Sequence, residues 1–153
     1  MHFLSPRSSA AVAAACSVLV VGLAGPAAAA TSAEYQKDGI AATNHERTSR
    51  SIKALTKDSC LQKMAVKQAR KEAKANSMFH QSMNPIMQKC GMNLVGENVA
   101  YGFSSGQAVV NAWMNSPEHK ANILESRFTR IGFGARQSAS GVWFVSEVFG
   151  RPE

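Results

Sequence analysis

The chain has 153 residues, 45% of them apolar and 18% charged, with 17 Lys and Arg against 10 Asp and Glu. That length suits one domain able to bury a sizeable core. A net charge of +7 favours anionic surfaces such as cell-wall polymers or acidic lipids, and does not by itself mark a nucleic-acid binder.

The first thirty residues read as a secretory signal. A short positive region, His2 to Arg7, precedes an apolar run, Ala10 to Leu23, and then the small residues Ala27 to Ala30. The run is shorter than the roughly 20 residues a spanning helix needs, so cleavage after Ala30 is expected and a retained anchor is not. Export also argues against nucleic acid as a partner. Cleavage would leave 123 residues (153 less 30) with 16 basic groups (17 less Arg7), 10 acidic ones and a net charge of +6. No later segment is apolar enough to span a membrane, and a monomer is expected.

Residues 31–39 are polar and read as a loose lead-in to a domain over residues 40–150. Residues 40–55 suit a first helix. Asp58 or Ser59 caps a second, running to about Phe79, with Leu61, Met64, Ala65, Ala69 and Ala73 on its buried face. Lys63, Lys67, Arg70 and Lys74 line another face of that helix. The stripe is either a solvated flank or a docking surface for an anionic cell-wall polymer, a lipid or an acidic protein. Asn84-Pro85 marks a turn, followed by a helical turn ending near Gly91. Leu94 to Tyr101 is extended. Ser104 or Ser105 caps a third helix, Gly106 to Asn115. Ser116 and Pro117 suit the N-cap and first position of a short helix ending at Leu124. Two alternating runs, residues 130–136 and 141–149, form a hairpin turned at residues 138–141. Apolar residues on both faces of its second strand predict a sheet covered on both sides, hence an α+β layered domain.

Two of the three cysteines, Cys60 and Cys90, lie beyond the signal. An even count in an exported chain favours a disulfide, the alternative being two buried thiols. A loop of that length would stabilise by about 3 kcal/mol in the chain-entropy picture.

Three phrases stand out: Met78-Phe79-His80, Gly96-Glu97-Asn98-Val99-Ala100, and Trp113 through Leu124 with Ser116-Pro117-Glu118-His119 inside it. Asn44-x-x-Arg47, Asp58-x-x-Leu61-x-x-Met64-Ala65, Phe128-x-x-Ile131-Gly132-Phe133-Gly134 and Trp143 to Phe149 complete an ordered series. In this order, from about Asn44 to Gly150, the chain resembles the CAP family (cysteine-rich secretory proteins, antigen 5 and pathogenesis-related 1) in its bacterial SCP-like form. The resemblance implies a three-layer α-β-α sandwich with a small antiparallel sheet. It also implies a cleft built from His80, Glu97 and His119, with Asn98 and Ser116 beside it. In the eukaryotic branch two histidines and two glutamates line this cleft and can hold zinc or another divalent cation. Ser116 stands here at the second glutamate's place, and serine is a poor zinc ligand. Glu118 and Glu147 are carboxylates without motif support for that place.

Residue chemistry leaves three roles open. His119 near a helix start should stay neutral, the form that binds metal or accepts a proton. Alternatively, Glu97 and both histidines only hold the fold through hydrogen bonds. Catalysis is the third, although His-Glu-x-x-His is absent and no nucleophile elbow accompanies Ser116. The functions in play are a secreted binding module with a divalent-cation cleft, a secreted metal-dependent hydrolase acting on peptide or cell-wall material, and a structural envelope protein.

Overall fold

A computed structural model describes residues 30–153; the predicted signal up to residue 29 lies outside them. Among the described residues five helices and four strands follow one another. They are α1 (Ser32–Thr48), β1 (Thr56–Lys57), α2 (Ser59–Ala75), α3 (Met83–Cys90), β2 (Met92–Tyr101), α4 (Gly106–Met114), α5 (Pro117–Leu124), β3 (Arg130–Gln137) and β4 (Trp143–Pro152).

The strands form one sheet in the order β1-β3-β4-β2. The hairpin of β3 and β4 is antiparallel, as is β2 on β4, whereas the two residues of β1 add a parallel edge beside β3. Pleating sends alternate residues to opposite faces. On one face Ile131, Phe133, Ala135, Val145 and Phe149 pack with Tyr35, Val109, Val110, Trp113 and Ile123 of α1, α4 and α5. On the other, Val148 packs with Leu61, Ala65 and Ile86 of α2 and α3. The result is the α-β-α sandwich expected. Helix α2 sits very close to its face: a Cβ on Gly132 would fall 2.2 Å from the Leu61 backbone, and one on Gly134 2.2 Å from Ala65 O. The glycines in Ile131-Gly132-Phe133-Gly134 therefore set the helix-to-sheet distance.

Four boundaries depart from the sequence reading. Residues 31–39 are not a loose lead-in: α1 starts at Ser32, with a Thr31–Glu34 capping box. Its Gly39 faces the Phe133 ring and the α4 backbone at Gly106, so tertiary contact stabilises a segment whose composition reads as polar. Helix α1 stops at Thr48 instead of Leu55, because Asn44 hydrogen-bonds both backbone groups of Leu55 and Arg47 takes the carbonyl of Lys53. Helix α2 stops at Ala75, with Asn76 in the left-handed conformation at φ 47°, where asparagine is tolerated. The Asn84-Pro85 pair lies inside the first turn of α3, where proline's missing N–H would have had no helical partner.

The Cys60–Cys90 disulfide is formed, with a Cα separation of 5.6 Å. It ties the start of α2 to the end of α3. No helix among the described residues is long and apolar enough to cross a membrane.

Candidate functional site: a histidine cleft at the sheet edge

Strand β2 is a sheet edge, and the predicted site is built around it. Register places Glu97 opposite Val148 and Asn98 opposite Glu147, so these neighbours face different layers. Glu97 faces the α2 side. Its carboxylate is buried and accepts four hydrogen bonds: His80 Nδ1 at 2.9 Å, Gln81 N at 3.1 Å, Gln81 Nε2 at 2.7 Å and Ser146 Oγ at 2.8 Å. Both oxygens are thus engaged in holding the segment between α2 and α3. His80 itself is 62% exposed at its side chain. A carboxylate only accepts, so Nδ1 carries the proton and Nε2 is left toward solvent.

His119 comes from the other layer, on α5. Its Nδ1 lies 2.8 Å from Ser116 Oγ, and its ring stacks on Trp113 with centroids 6.1 Å apart. Ser116 occupies the predicted N-cap position, but its side chain makes no capping bond; the hydroxyl is turned to the histidine instead. The pKa of His119 is lowered, first by burial and next by the charge of His80, with Glu118 opposing. Neutrality was expected from the helix terminus; the physical cause is desolvation.

Asn98 and Asn122 pin the two layers together. Asn122 Nδ2 donates to Glu97 O and to Asn98 Oδ1, and Asn98 Nδ2 donates to His119 O. Because Asn98 holds the backbone of α5, it positions His119 instead of lining the opening with a free amide.

His80, Glu97 and His119 thus share one neighbourhood without forming a three-ligand cage. Among the described residues no three His, Cys, Asp or Glu side chains are grouped to hold a metal ion. The physical reason lies in Glu97, whose oxygens are committed to N–H and O–H donors. Carboxylate-to-Nδ1 contact is the outer-sphere arrangement that orients a metal-binding histidine. Only the Nε2 atoms remain as donors, too few for a closed zinc site. Glu147 cannot complete the set: it is fully buried under α1, bonded to Thr43.

Sequence reasoning missed Glu72. This residue lies on the buried face of α2 and accepts from Phe79 N at 3.1 Å, while Gln68 donates to Phe79 O. Its other oxygen, Oε2, has no protein partner. Burial raises its pKa to about 7, assisted by the nearby Glu97. The signal was present: Gln68 and Glu72 fall in register with Leu61 and Ala65, where a polar residue needs a buried partner. Together Glu72, Gln68 and Glu97 clamp residues 79–81, leaving Met78 44% and Phe79 42% exposed. Met78 also lines a cavity of about 430 Å³ with Tyr101 and Phe144.

A three-layer sandwich with His80, Glu97 and His119 around its edge strand defines the class, and comparison with known proteins gives the class its name. The model of the CAP cysteine-rich secretory protein family matches residues 40–148, and the chain belongs to that family. It is 36% identical over 116 residues to the uncharacterized protein YkwD of Bacillus subtilis, covering 71% of this chain and 45% of that protein; the chain thus spans less than half of this relative. The fold is also similar to an extracellular SCP-domain protein of Bacillus anthracis, with a TM-score of 0.71 and 24% identity over 78% of this chain and 41% of that one. An outer surface protein of Borrelia burgdorferi matches with a TM-score of 0.68 and 24% identity, over 74% of this chain and 90% of that one.

Proposed function

We propose that the protein is an extracellular binding module acting at or outside the cell surface, with His80 and His119 as the polar contacts of its cleft. The observation that carries this reading is the clamp: Glu72 and Glu97, both buried, spend their carboxylates on positioning residues 79–81, and so present an exposed imidazole beside two exposed apolar side chains. Side chains committed to positioning suit recognition. The predicted secretory signal and the descriptions of the two solved relatives, one extracellular and one from an outer surface, support the location.

Within this reading, zinc or another divalent cation is held by His80 Nε2 and His119 Nε2, with Glu97 and Ser116 orienting the rings from behind. A two-imidazole site leaves coordination positions open, and the cation would supply a Lewis-acidic contact for an anionic or carbonyl group of the ligand. Zinc titration by calorimetry, beside a His80→Ala/His119→Ala variant, tests it. Stoichiometric binding that disappears in a variant of unchanged melting temperature is expected. A wild type that takes up no zinc at neutral pH would reduce the histidines to scaffold.

A further inference from the structure

A second concavity, of about 370 Å³, opens between α2 and α3, and its lining is cationic. Lys67 and Lys71 reach it from α2, Lys89 from α3, and His80, Gln81 and Ser82 from the segment between them. No aspartate or glutamate lines it. Glu72 and Glu97, which hold residues 79–81 from behind, are buried and accept from Phe79, His80 and Gln81. Ser82 is the N-cap of α3, yet its side chain makes no capping bond.

Lys67 and Lys71 are four residues apart on one helix, a like-charge pair that destabilises the helix carrying it. Among the described residues the ion pairs are Arg50–Glu46, His80–Glu97 and Arg127–Glu125, so none of the α2 cations is neutralised by the protein. The Cys60–Cys90 disulfide joins the helices that form the two walls, which preorganises the gap instead of letting the lysines spread. A neighbouring concavity of about 470 Å³ continues along α2, lined by Lys63, Lys67 and Arg70 among others. Lys67 serves both. From Lys63 to Lys71 the helix rises about 12 Å, so the cations form a track and not a single point.

We propose that the α2–α3 cavity seats one phosphate group of an anionic polymer and the adjoining α2 concavity seats a following one. Several ammonium groups around a single hollow suit a tetrahedral oxyanion, which takes point charges from different directions. Two hollows sharing one lysine suit a chain of repeated anions, and the α2–α3 hollow, walled on two sides, suits a strand more than a flat bilayer. The track needs only the lysines and Arg70, so binding does not require a cation on the histidines, although His80 lines the cavity.

The test measures anisotropy of a fluorescent long-chain polyphosphate with the full-length protein at low and moderate salt. In Lys71→Glu/Lys89→Glu, affinity should fall at least about tenfold. In Lys37→Glu/Lys53→Glu, which changes net charge equally on another part of the surface, it should fall less than about twofold. The milder Lys71→Gln/Lys89→Gln pair, checked for an unchanged melting temperature, should give an intermediate loss and separates binding from folding. Equal weakening by both Glu pairs would overturn the site in favour of diffuse attraction. No binding of the polymer at low salt would overturn it outright. Tighter capture by vesicles of anionic phospholipid than by the polymer would replace it with a membrane surface. All of these titrations are run with a chelator present, so that failure of the cation reading and failure of this one are read separately.

Discussion

Two buried polar clusters flank the sheet, one in each layer, and they differ in where they lead. Under α1, Arg47 is fully buried and donates to four backbone carbonyls, of Lys53, Ile123, Glu125 and Phe128. Glu147 lies in the same layer, bonded to Thr43, with Oε2 left without a partner. That cluster is sealed. Under α2, Glu72 and Glu97 are equally buried, but their partners run outward through Phe79 and Gln81 to the exposed ring of His80. The same chemistry, carboxylate within low dielectric, serves two ends. Where the hydrogen bonds close on the backbone of the domain, the cluster builds the fold; where they end on an exposed segment, it positions a surface.

The largest effect expected from breaking this contrast is at Arg47. Arg47→Ala strands four backbone carbonyls, those of Ile123 and Phe128 in fully buried bonds, and should cost about 3–5 kcal/mol, read from denaturant unfolding. On the other side, Glu97→Ala removes three hydrogen bonds from a segment that can still reach water, and one from buried Ser146. It should cost about 1–3 kcal/mol and, more tellingly, accelerate amide exchange at Gln81 while leaving amides of α1 protected. If exchange rose throughout the domain, Glu97 would belong with the sealed cluster.

Glu147 sharpens the comparison through pH. Burial raises its pKa from 4.5 to about 8. Between those values the folded state holds a proton that the unfolded chain has lost. The contribution is therefore fully present below about pH 4.5 and is lost progressively as pH rises to about 8. Glu147→Gln should flatten that part of the stability profile, and a thermal-melt series across the range checks it. Glu72, raised to about 7, supplies the residual slope in the same direction. The smallest effect belongs to His80→Ala: with its side chain 62% exposed, it should change stability by less than about 1 kcal/mol. A larger loss in chemical unfolding would return the cleft to the scaffold.

How far the site could be read beforehand depended on whether local spacing carried the information. The positions of His80, Glu97 and His119 stood out as phrases, and the strand alternation of 130–136 and 141–149 followed from period-two patterning. The Ser116 position was legible as a helix start; the direction of its hydroxyl was not, because an N–H of α5 and His119 Nδ1 compete for it. Residues 31–39 were misjudged because their helix draws on Gly39 meeting Phe133, a contact between segments far apart in the chain that no local pattern records. Glu72 was overlooked amid the apolar spacing of α2, although its register was itself the sign.

By itself the sequence determined the layered α+β class and, through its ordered motifs, the family, and it favoured pairing of Cys60 with Cys90, since these rest on periodicity, punctuation and cysteine count. Only the tertiary structure decided how they meet. It turned Glu97 into a hydrogen-bond hub in place of a free ligand, sealed Glu147 away from the cleft, and gathered Lys67, Lys71 and Lys89 around one cavity. Those outcomes depend on which face of the sheet each side chain takes and on which donors crowd its oxygens, and both are fixed by packing between segments distant in the chain.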